Sequence, residues 1–498
     1  DDTGLVTAEA LGLQCPPEQV VQGVGLDERA PVDDCEVRGV AGIGLPGGCR
    51  AHPRKLTNPA TRPCGRGDRY GSAVPAAPAR RSERAVVAYL AFIGILMAFG
   101  IDAALPAFEE LRADFDLDAR GLSPAITGTA YLVGMAAGQL FCGVFADRFG
   151  RRPVLIVGVG IYAIGGLVSA AAPNLAVLLA ARFVWGLGAS APTVLRMAIA
   201  RDLFDGDRMA RVVSTVSAVF LLGPIIVPFM GEGLMLFGSW RVVFGASLLL
   251  SVVALVWTVR FGETLAEEHR RPIRIRPVIA AIGAVVREPA SRWGILGLMF
   301  FSGAFFIWLG SAQPVLDDVY GRDAQFTIFF GLSGVGMAVA LLANNRMIDR
   351  YGTRLMVRRA SFAFVVVTIA GVIAAVQADG VPSVWLWFAW ACVANACNMV
   401  IGPMASAIAM EPMADKAGAA SSVLGIAQMG GGALLAAVVD ARIDDSVTPM
   451  VVGALVYGSV GLVFVVLAAR CSPPIPRAPD DVDRRVRRLR YVETHRPG

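Results

Sequence analysis

The sequence predicts an all-α membrane protein, with twelve transmembrane helices arranged as two six-helix pseudo-repeat bundles. Three observations predict it. First, 55% of the 498 residues are hydrophobic and only 17% are charged, with a mean hydropathy of +0.59, whereas a soluble chain carries roughly a quarter charged residues. Second, the apolar residues gather into runs of about 20, the length that crosses ~30 Å of hydrocarbon as a helix. Third, GVFADRFGRRP at Gly143 to Pro153 recurs as MIDRYGTR at Met347 to Arg354, which sets Asp147-Arg148-Phe149-Gly150 against Asp349-Arg350-Tyr351-Gly352. A bilayer offers no water to peptide groups, so the runs must be helices; a closed barrel would show short alternating segments instead.

Residues 1–80 hold Pro, Gly and Arg throughout, without a sustained apolar period and without the basic, apolar, small-residue order of a signal peptide. A disordered or non-native N-terminal extension is expected there. Its Cys15, Cys35, Cys49 and Cys64 stand 20, 14 and 15 residues apart with His52 nearby; a zinc site usually shows a close Cys-x2-4-Cys pair, so no metal is expected. The spans follow at about 85–107, 122–146, 152–172, 175–200, 209–236 and 241–260, then 291–316, 325–347, 354–377, 383–410, 416–439 and 448–470. They form an N-terminal bundle (81–260) and a C-terminal bundle (291–470), joined by a linker (261–290) centred on HRRPIRIRP and followed by a basic tail (471–498). The linker reads as an amphipathic segment on the membrane surface. Cys142, Cys392, Cys397 and Cys471, in or beside spans, read as small apolar fillers.

Arginine sets the orientation. With a cytoplasmic N-terminus, the inside loops hold Arg148, Arg151, Arg152, Arg201, Arg208, the linker arginines, Arg346, Arg350, Arg354, Arg358 and Arg359. The outside connections hold few: Arg112, Arg120, Arg322 and Arg442. The expectation is a multi-pass protein of the cytoplasmic membrane with both termini inside, monomeric, with the lipid bilayer and a small-molecule substrate as partners. The net charge of +5 is taken up by this asymmetry. Even DRRVRRLR at 483–490 reads as a solvated or lipid-touching tail, so no nucleic-acid partner is expected. His52, His269 and His495 lie outside the spans and no cluster of nucleophile, base and orienter is visible, which argues against an enzyme. No Gly-x4-Gly-Lys-Ser/Thr loop occurs; a proton gradient, with no cofactor, is the expected source of energy.

An ionisable side chain inside a bilayer demands a reason. Asp102 stands in GIDAALPAF of span one, followed by Pro106, and as a buried acid it could take up and release a proton as access changes sides. The alternative is an Asp close enough to the outer surface to stay hydrated. Arg182, in span four, cannot deprotonate and is the natural counter-charge, or a holder of a polar substrate group; pairing with helix carbonyls is the structural alternative. Glu232, in PFMGEGL near the outer end of span five, reads as a hydrated rim residue. The same span carries Gly223, Pro224, Pro228 and Gly231 in LLGPIIVPFMGEG, small and helix-bending residues suited to a hinge and seal between halves. In the repeated loop, Gly150 permits a tight turn, while Gly143, Asp147, Arg148, Arg151 and Arg152, with Asp349 and Arg350 in the second half, form a candidate conformational latch whose charges can pair across the seam in one conformation only.

These residues resemble those of the major facilitator superfamily, and within it the twelve-span drug:proton antiporters of the bicyclomycin and chloramphenicol resistance (Bcr/CflA) type. The resemblance covers about 85–470 and rests on GIDAALPA, GQLFCGVFADRFGRRPVL, RFVWGLGAS through VLRMAIARDLF, and GPIIVPFMGEGLMLFGSWRVVF, with GETL at 262–265 and MEPMADKAGAASSVLGIAQM at 410–429 in support. It implies the major facilitator fold, Asp102 as proton-coupling acid, Arg182 as the buried span-four arginine, Gly223-Pro224 as part of the antiporter motif, and Asp147 and Arg148 in the cytoplasmic latch. Trp185, Val219, Glu232, Asn344 and Thr353 depart from the pattern. A midplane pocket is expected between halves, with Tyr131, Gln139, Phe305, Trp308, Gln313, Asn395 and Asn398 as candidate lining. The implied activity is proton-coupled efflux of drugs or amphipathic small molecules, an antiporter giving antibiotic resistance. A proton-coupled importer of a metabolite is the second reading, and a non-transporting membrane sensor the third.

Overall fold

The computed structural model describes residues 82–204, 206–220, 222–270, 275–443 and 445–471. The expectations for residues 1–80 with their cysteines and His52, for the linker centre at 271–274 and for the tail at 472–498 with His495 lie outside the described residues. The described residues hold helices and no strand. Span one is α1 (Glu83–Asp102), trailed by a short α2 (Phe108–Asp114); spans two to four are α3 (Ile126–Phe149), α4 (Arg151–Ala170) and α5 (Leu175–Leu203). Span five is divided into α6 (Gly206–Phe220) and α7 (Gly223–Met235), and span six is α8 (Trp240–Phe261). After the linker helix α9 (Ile275–Arg287) come α10 (Pro289–Pro314), α11 (Phe326–Tyr351), α12 (Thr353–Gln377), α13 (Val384–Met410), a divided span of α14 (Ala417–Gly425) and α15 (Gly432–Asp440), and α16 (Thr448–Cys471). Eleven of these stretches are long and apolar enough to cross a membrane, and the shorter apolar α7 completes the fifth. Twelve spans result.

The helices begin and end where local chemistry dictates. Ser82 caps α1 by accepting the Ala85 amide at 3.2 Å, and Asn174 caps α5 through the Val177 amide at 3.0 Å. Span one stops at Asp102, five residues short of the expected 107, because Pro106 opens a tight 3-10 turn at Leu105–Ala107. Around the helices runs a band of apolar side chains such as Val157, Ile164, Leu249, Phe362 and Val376, each more than 60% exposed, a surface that only lipid covers favourably.

The two halves repeat one another in detail. Gly150 joins α3 to α4 at φ 102°, ψ 163°, and Gly352 joins α11 to α12 at φ 79°, ψ 153°, a region closed to residues with a Cβ. The fifth span of each half is interrupted, just before Gly223-Pro224 in the first and over Ile426–Gly431 in the second, where the helix widens to a π turn. Each interrupted span crosses the seam: α7 packs on α11, while α14 and α15 pack on α3. Small residues allow it. A Cβ on Gly331 would lie 3.1 Å from Phe229, and one on Gly430 would lie 2.9 Å from Ala136. The linker helix α9 lies against α10 and α14, with Val285 buried among Ile295, Ala409 and Met413.

Candidate functional site

The end of the molecule carrying the Gly150 and Gly352 turns is the basic face, and the end carrying α2 is the far face. Between them, α1 is gripped through its carbonyls. Tyr162 Oη donates to Leu96 O at 2.7 Å, Tyr131 Oη to Met97 O at 3.3 Å, and Arg182 Nη1 to Gly100 O at 2.7 Å. Because α1 ends at Asp102, the Gly100 carbonyl has no helical amide ahead of it, and the guanidinium supplies the missing donor. Arg182 Nε also donates to Thr127 O at 3.1 Å, in the first turn of α3. Its carbon lies 5.0 Å from the ring centres of Tyr131 and Trp185 and 5.1 Å from that of Phe244, so three aromatic faces enclose a fully buried cation.

Asp102 is 5% exposed and stands two residues beyond the carbonyl that Arg182 holds. The ion pair expected between them is not made in this structure: the guanidinium is directed to backbone carbonyls of α1 and α3. The helix break explains this, since the end of α1 exposes carbonyls that compete for the cation. Among the described residues the Asp102 carboxyl has no hydrogen-bond or ion-pair partner. A buried acid without a fixed partner is free to change protonation as its surroundings change. Gly231 of α7 packs against Ala103, next in the chain, and a Cβ on Gly223 would lie 3.1 Å from that of Ala98. Thus α7 touches span one on one side and α11 on the other. Pro224 stands in the first turn of α7 and Pro228 within it, while Glu232 is exposed.

The expected pocket residues divide. Gln139 lies on the seam, its side chain against Gly425 of α14. Tyr131 backs Arg182 inside the N-terminal helices. Trp308 is 3% exposed and stacks on Phe330 with ring centres 6.2 Å apart, beside Trp387 at 5.4 Å; it packs within the C-terminal helices. Asn398 donates to Phe301 O at 2.9 Å, tying α13 to α10. Asn395 is buried, and Phe305 is half-buried against Phe306. Gln313, expected at the midplane, sits in the last turn of α10 and donates to Asp323 at 2.8 Å, which binds it to the far-face loop.

On the basic face, Arg151 donates to Asp147 at 2.6 Å and to Asp202 at 3.0 Å. Glu263, just beyond α8, accepts the amides of Arg151 (2.9 Å), Arg152 (3.1 Å), Thr264 (2.9 Å) and Leu265 (3.0 Å). Partial burial works against its charge, yet the four amides win and hold this carboxyl below the ordinary carboxylate range. Gly150 is required here twice over, since a Cβ would also strike the Glu263 carboxylate. Arg148 is exposed and Gly143 borders open space. In the second half, Arg354 reaches Glu411 at 3.4 Å, again joining the start of one helix to the end of the next. The Asp349 side chain lies outside the described residues, and Arg350 packs over Tyr351, 5.5 Å from its ring centre. The described pairs of this face run within each half. In this conformation Arg151 is paired with Asp147 and Asp202, and Arg354 with Glu411, each partner within its own bundle.

The seam is bridged at the far face instead. Arg112 of α2 forms a two-pronged pair with Asp318, at 2.6 and 2.8 Å. Alongside, Glu109, Asp317 and Asp323 bring carboxylate oxygens within 4.8 Å of one another. Beneath α2, Asp114 and Glu110 accept the indole and amide N–H of Trp240 at 2.8 and 2.7 Å and fix the start of α8.

The model of the Major Facilitator Superfamily matches residues 90–436. The chain belongs to that superfamily. A bicyclomycin resistance protein homolog from Haemophilus influenzae is 32% identical over 390 residues, covering 76% of this chain and 95% of that protein. The multidrug resistance protein MdtL of Escherichia coli is 28% identical over 395 residues, covering 76% and 94%. Among solved structures, a D-xylose-proton symporter aligns with a TM-score of 0.63 and 17% identity over 78% of this chain and 98% of that one. The human organic anion transporter MFSD10 aligns at 0.60 and 19%, over 78% and 100%. These two likenesses are of fold.

As a superfamily transporter the chain has candidate functional residues that its sequence did not bring forward. Glu263 was visible only as part of GETL. Arg112 and Asp318 lie 206 residues apart, and no local pattern links them. Asp440 ends α15 one residue past the expected span limit of 439, outside the apolar runs in which a charge demands a reason.

Proposed function

We propose that the protein exports drugs or amphipathic small molecules across the cytoplasmic membrane by alternating access, driven by inward proton flow and without a cofactor. The observation that carries the reading is Asp102, a 5% exposed carboxyl without a fixed partner at the break of span one, beside the α7 contact that links span one to the opposite half. The names of the relatives support a drug as substrate. The basic face lies in the cytoplasm by the distribution of arginine, which puts both termini inside and the Arg112–Asp318 bridge outside. The bundles run 81–260 and 291–470, and the protein works as a monomer. In the cycle, Asp102 takes a proton from outside, the drug leaves, and the protonated carrier returns to the inward-facing state; loss of the proton inside resets it. Arg182 holds the end of α1 and keeps Asp102 in register with α7. Gln139 meets the substrate at the seam. The apolar walls and few polar groups suit varied lipophilic compounds.

The test is resistance. Expressed in a bacterial host stripped of its own pumps, the protein raises the tolerated concentration of bicyclomycin or chloramphenicol, and Asp102→Asn, present in the membrane at equal amount, does not. Equal resistance from the Asn variant would remove Asp102 from the mechanism.

A further inference from the structure

A second buried carboxyl has no part in the cycle described above. Asp440, 5% exposed, closes α15. Its Oδ1 accepts a hydrogen bond from Ser311 Oγ at 2.6 Å, and no ion pair joins it to a cation among the described residues. Its Oδ2 lies over Gly310, where an added Cβ would stand 2.8 Å from that oxygen and 2.8 Å from the Cβ of Ala125 across the seam. The carboxyl therefore occupies a notch that exists only because residue 310 is glycine, at a contact between the two bundles.

Two spaces meet at this carboxyl. On the far-face side is a polar vestibule of about 470 Å³, bordered by Arg112, Asp118, Asp318, Arg442 and Asp445. On the inner side is a small cavity of about 20 Å³, room for one water, whose opposite wall includes Arg182. Asp440 is the residue common to both linings. The groups that face it are few. From α10 comes Ser311; from α16 comes Tyr457, whose hydroxyl donates to Leu435 O at 2.8 Å; from its own loop comes Arg442, whose guanidinium is bound to the Val438 carbonyl. At the vestibule rim Arg112 is taken up by Asp318, with the carboxylates of Asp118 and Asp445 beyond. The part of α3 lining the inner cavity, with Ala125 just before it and Gly128, Thr129 and Leu132 within it, offers nothing that titrates.

We propose that Asp440 is a second proton-binding site of the transport cycle, loaded from the far-face vestibule and coupled to closure of the Ala125–Gly310 seam. An ionised carboxylate enclosed without an ion-pair partner costs several kcal/mol, whereas an open seam would let vestibule water reach it. Ionisation and closure therefore compete, and by linkage each proton bound at Asp440 favours the closed far face. The step is the addition of one proton from vestibule water to a carboxylate oxygen, with no other bond changed. It rests on reading the far face as external, and gives the C-terminal bundle a proton site of its own beside Asp102 in the N-terminal one.

The experiment needs no substrate. Spin labels are placed at Ala119 and Ala324, both exposed on the far face of opposite halves, in full-length protein whose native cysteines are replaced by serine, held in lipid nanodiscs. Distances are measured by pulsed electron resonance at about pH 5 and about pH 9. The native acid gives a closed-to-open ratio about tenfold higher at the lower pH, within the range of ordinary site-to-site coupling. Asp440→Asn reduces this dependence to the part that Asp102 supplies and abolishes it in an Asp102→Asn background, whereas Asp440→Glu, which can still titrate, retains it. The proposal is overturned if the native protein shows no dependence on pH, if Asp440→Asn responds as the native protein does, or if Asp318→Asn alone removes the response, which would assign it to the bridge. Failure of the efflux reading appears separately, as lack of resistance in a protein whose far face still responds to pH.

Discussion

Replacing Gly150 with alanine tests the basic-face architecture against a control built into the molecule. Gly150 and Gly352 hold matching backbone conformations, at φ 102° and 79°, and an alanine at either should lose about 1–3 kcal/mol to strain. Their surroundings differ. A Cβ on Gly352 meets nothing within 4 Å, whereas one on Gly150 strikes the Glu263 carboxylate, with Cδ only 2.9 Å away. Displacing that carboxylate breaks its bonds to the Arg151 and Arg152 amides, which close the first turn of α4. Hydrogen bonds to a charged group contribute about 1.5–3 kcal/mol each, and water recovers part of this at a half-buried site, which leaves an additional loss of about 2 kcal/mol. Gly150→Ala should therefore destabilise by about 3–5 kcal/mol and Gly352→Ala by about 1–3 kcal/mol. Unfolding in mixed detergent micelles measures both, together with each change in a Glu263→Ala background. There the two glycine substitutions should cost the same. Equal losses in the native background, or a Gly150→Ala cost that Glu263→Ala leaves unchanged, would refute the role given to Glu263.

Further outcomes follow from the same geometry. Glu263 ionises more readily in the folded protein than at its ordinary value of 4.5, so its stabilisation is complete above that pH and is lost as pH falls through the lower folded value; Glu263→Gln should be less stable at neutral pH and should lack this acid-side loss in unfolding measured from about pH 6 to pH 3. Arg112→Met removes a two-pronged pair that is partly exposed, worth about 1–2 kcal/mol, and should increase far-face opening about 5–30-fold in spin-label distances, with the charge exchange Arg112→Asp plus Asp318→Arg restoring closure. Arg182→Lys keeps the charge, but one ammonium cannot hold the carbonyls of Gly100 and Thr127 while lying flat against three rings. It should cost about 2–3 kcal/mol in unfolding, and a loss below about 0.5 kcal/mol would show that the fork is dispensable.

The architecture was legible because the bilayer leaves so few solutions. Twelve apolar runs and a repeated Asp-Arg-aromatic-Gly turn suffice for two pseudo-repeats, and the turn glycines adopt the conformations that their identity predicts. Burial of Arg182 was legible for the same reason, since a charge deep within an apolar run has nowhere else to go, whereas for Asp102, near the end of its run, hydration at the outer surface stands as the alternative. The partner of Arg182, Asp102 or helix carbonyls, stays open in the sequence. Arg182 bonds carbonyls exposed where Pro106 ends the helix, and the exposure depends on where α1 stops rather than on which residues it contains. Gln313 and Trp308 share a run with residues that do face the seam, and a run whose every side is apolar gives no angle to read. The far-face bridge and the notch at Gly310 join segments more than a hundred residues apart, and only the packed bundle brings them together.

The central claim is that inward proton flow through Asp102 drives export. In vesicles reconstituted with the full chain and given an imposed pH gradient, movement of ethidium and of chloramphenicol should follow the gradient, collapse when a proton carrier dissipates it, and be lost in Asp102→Asn. Gradient-driven movement at the native rate in the Asn variant would contradict the account.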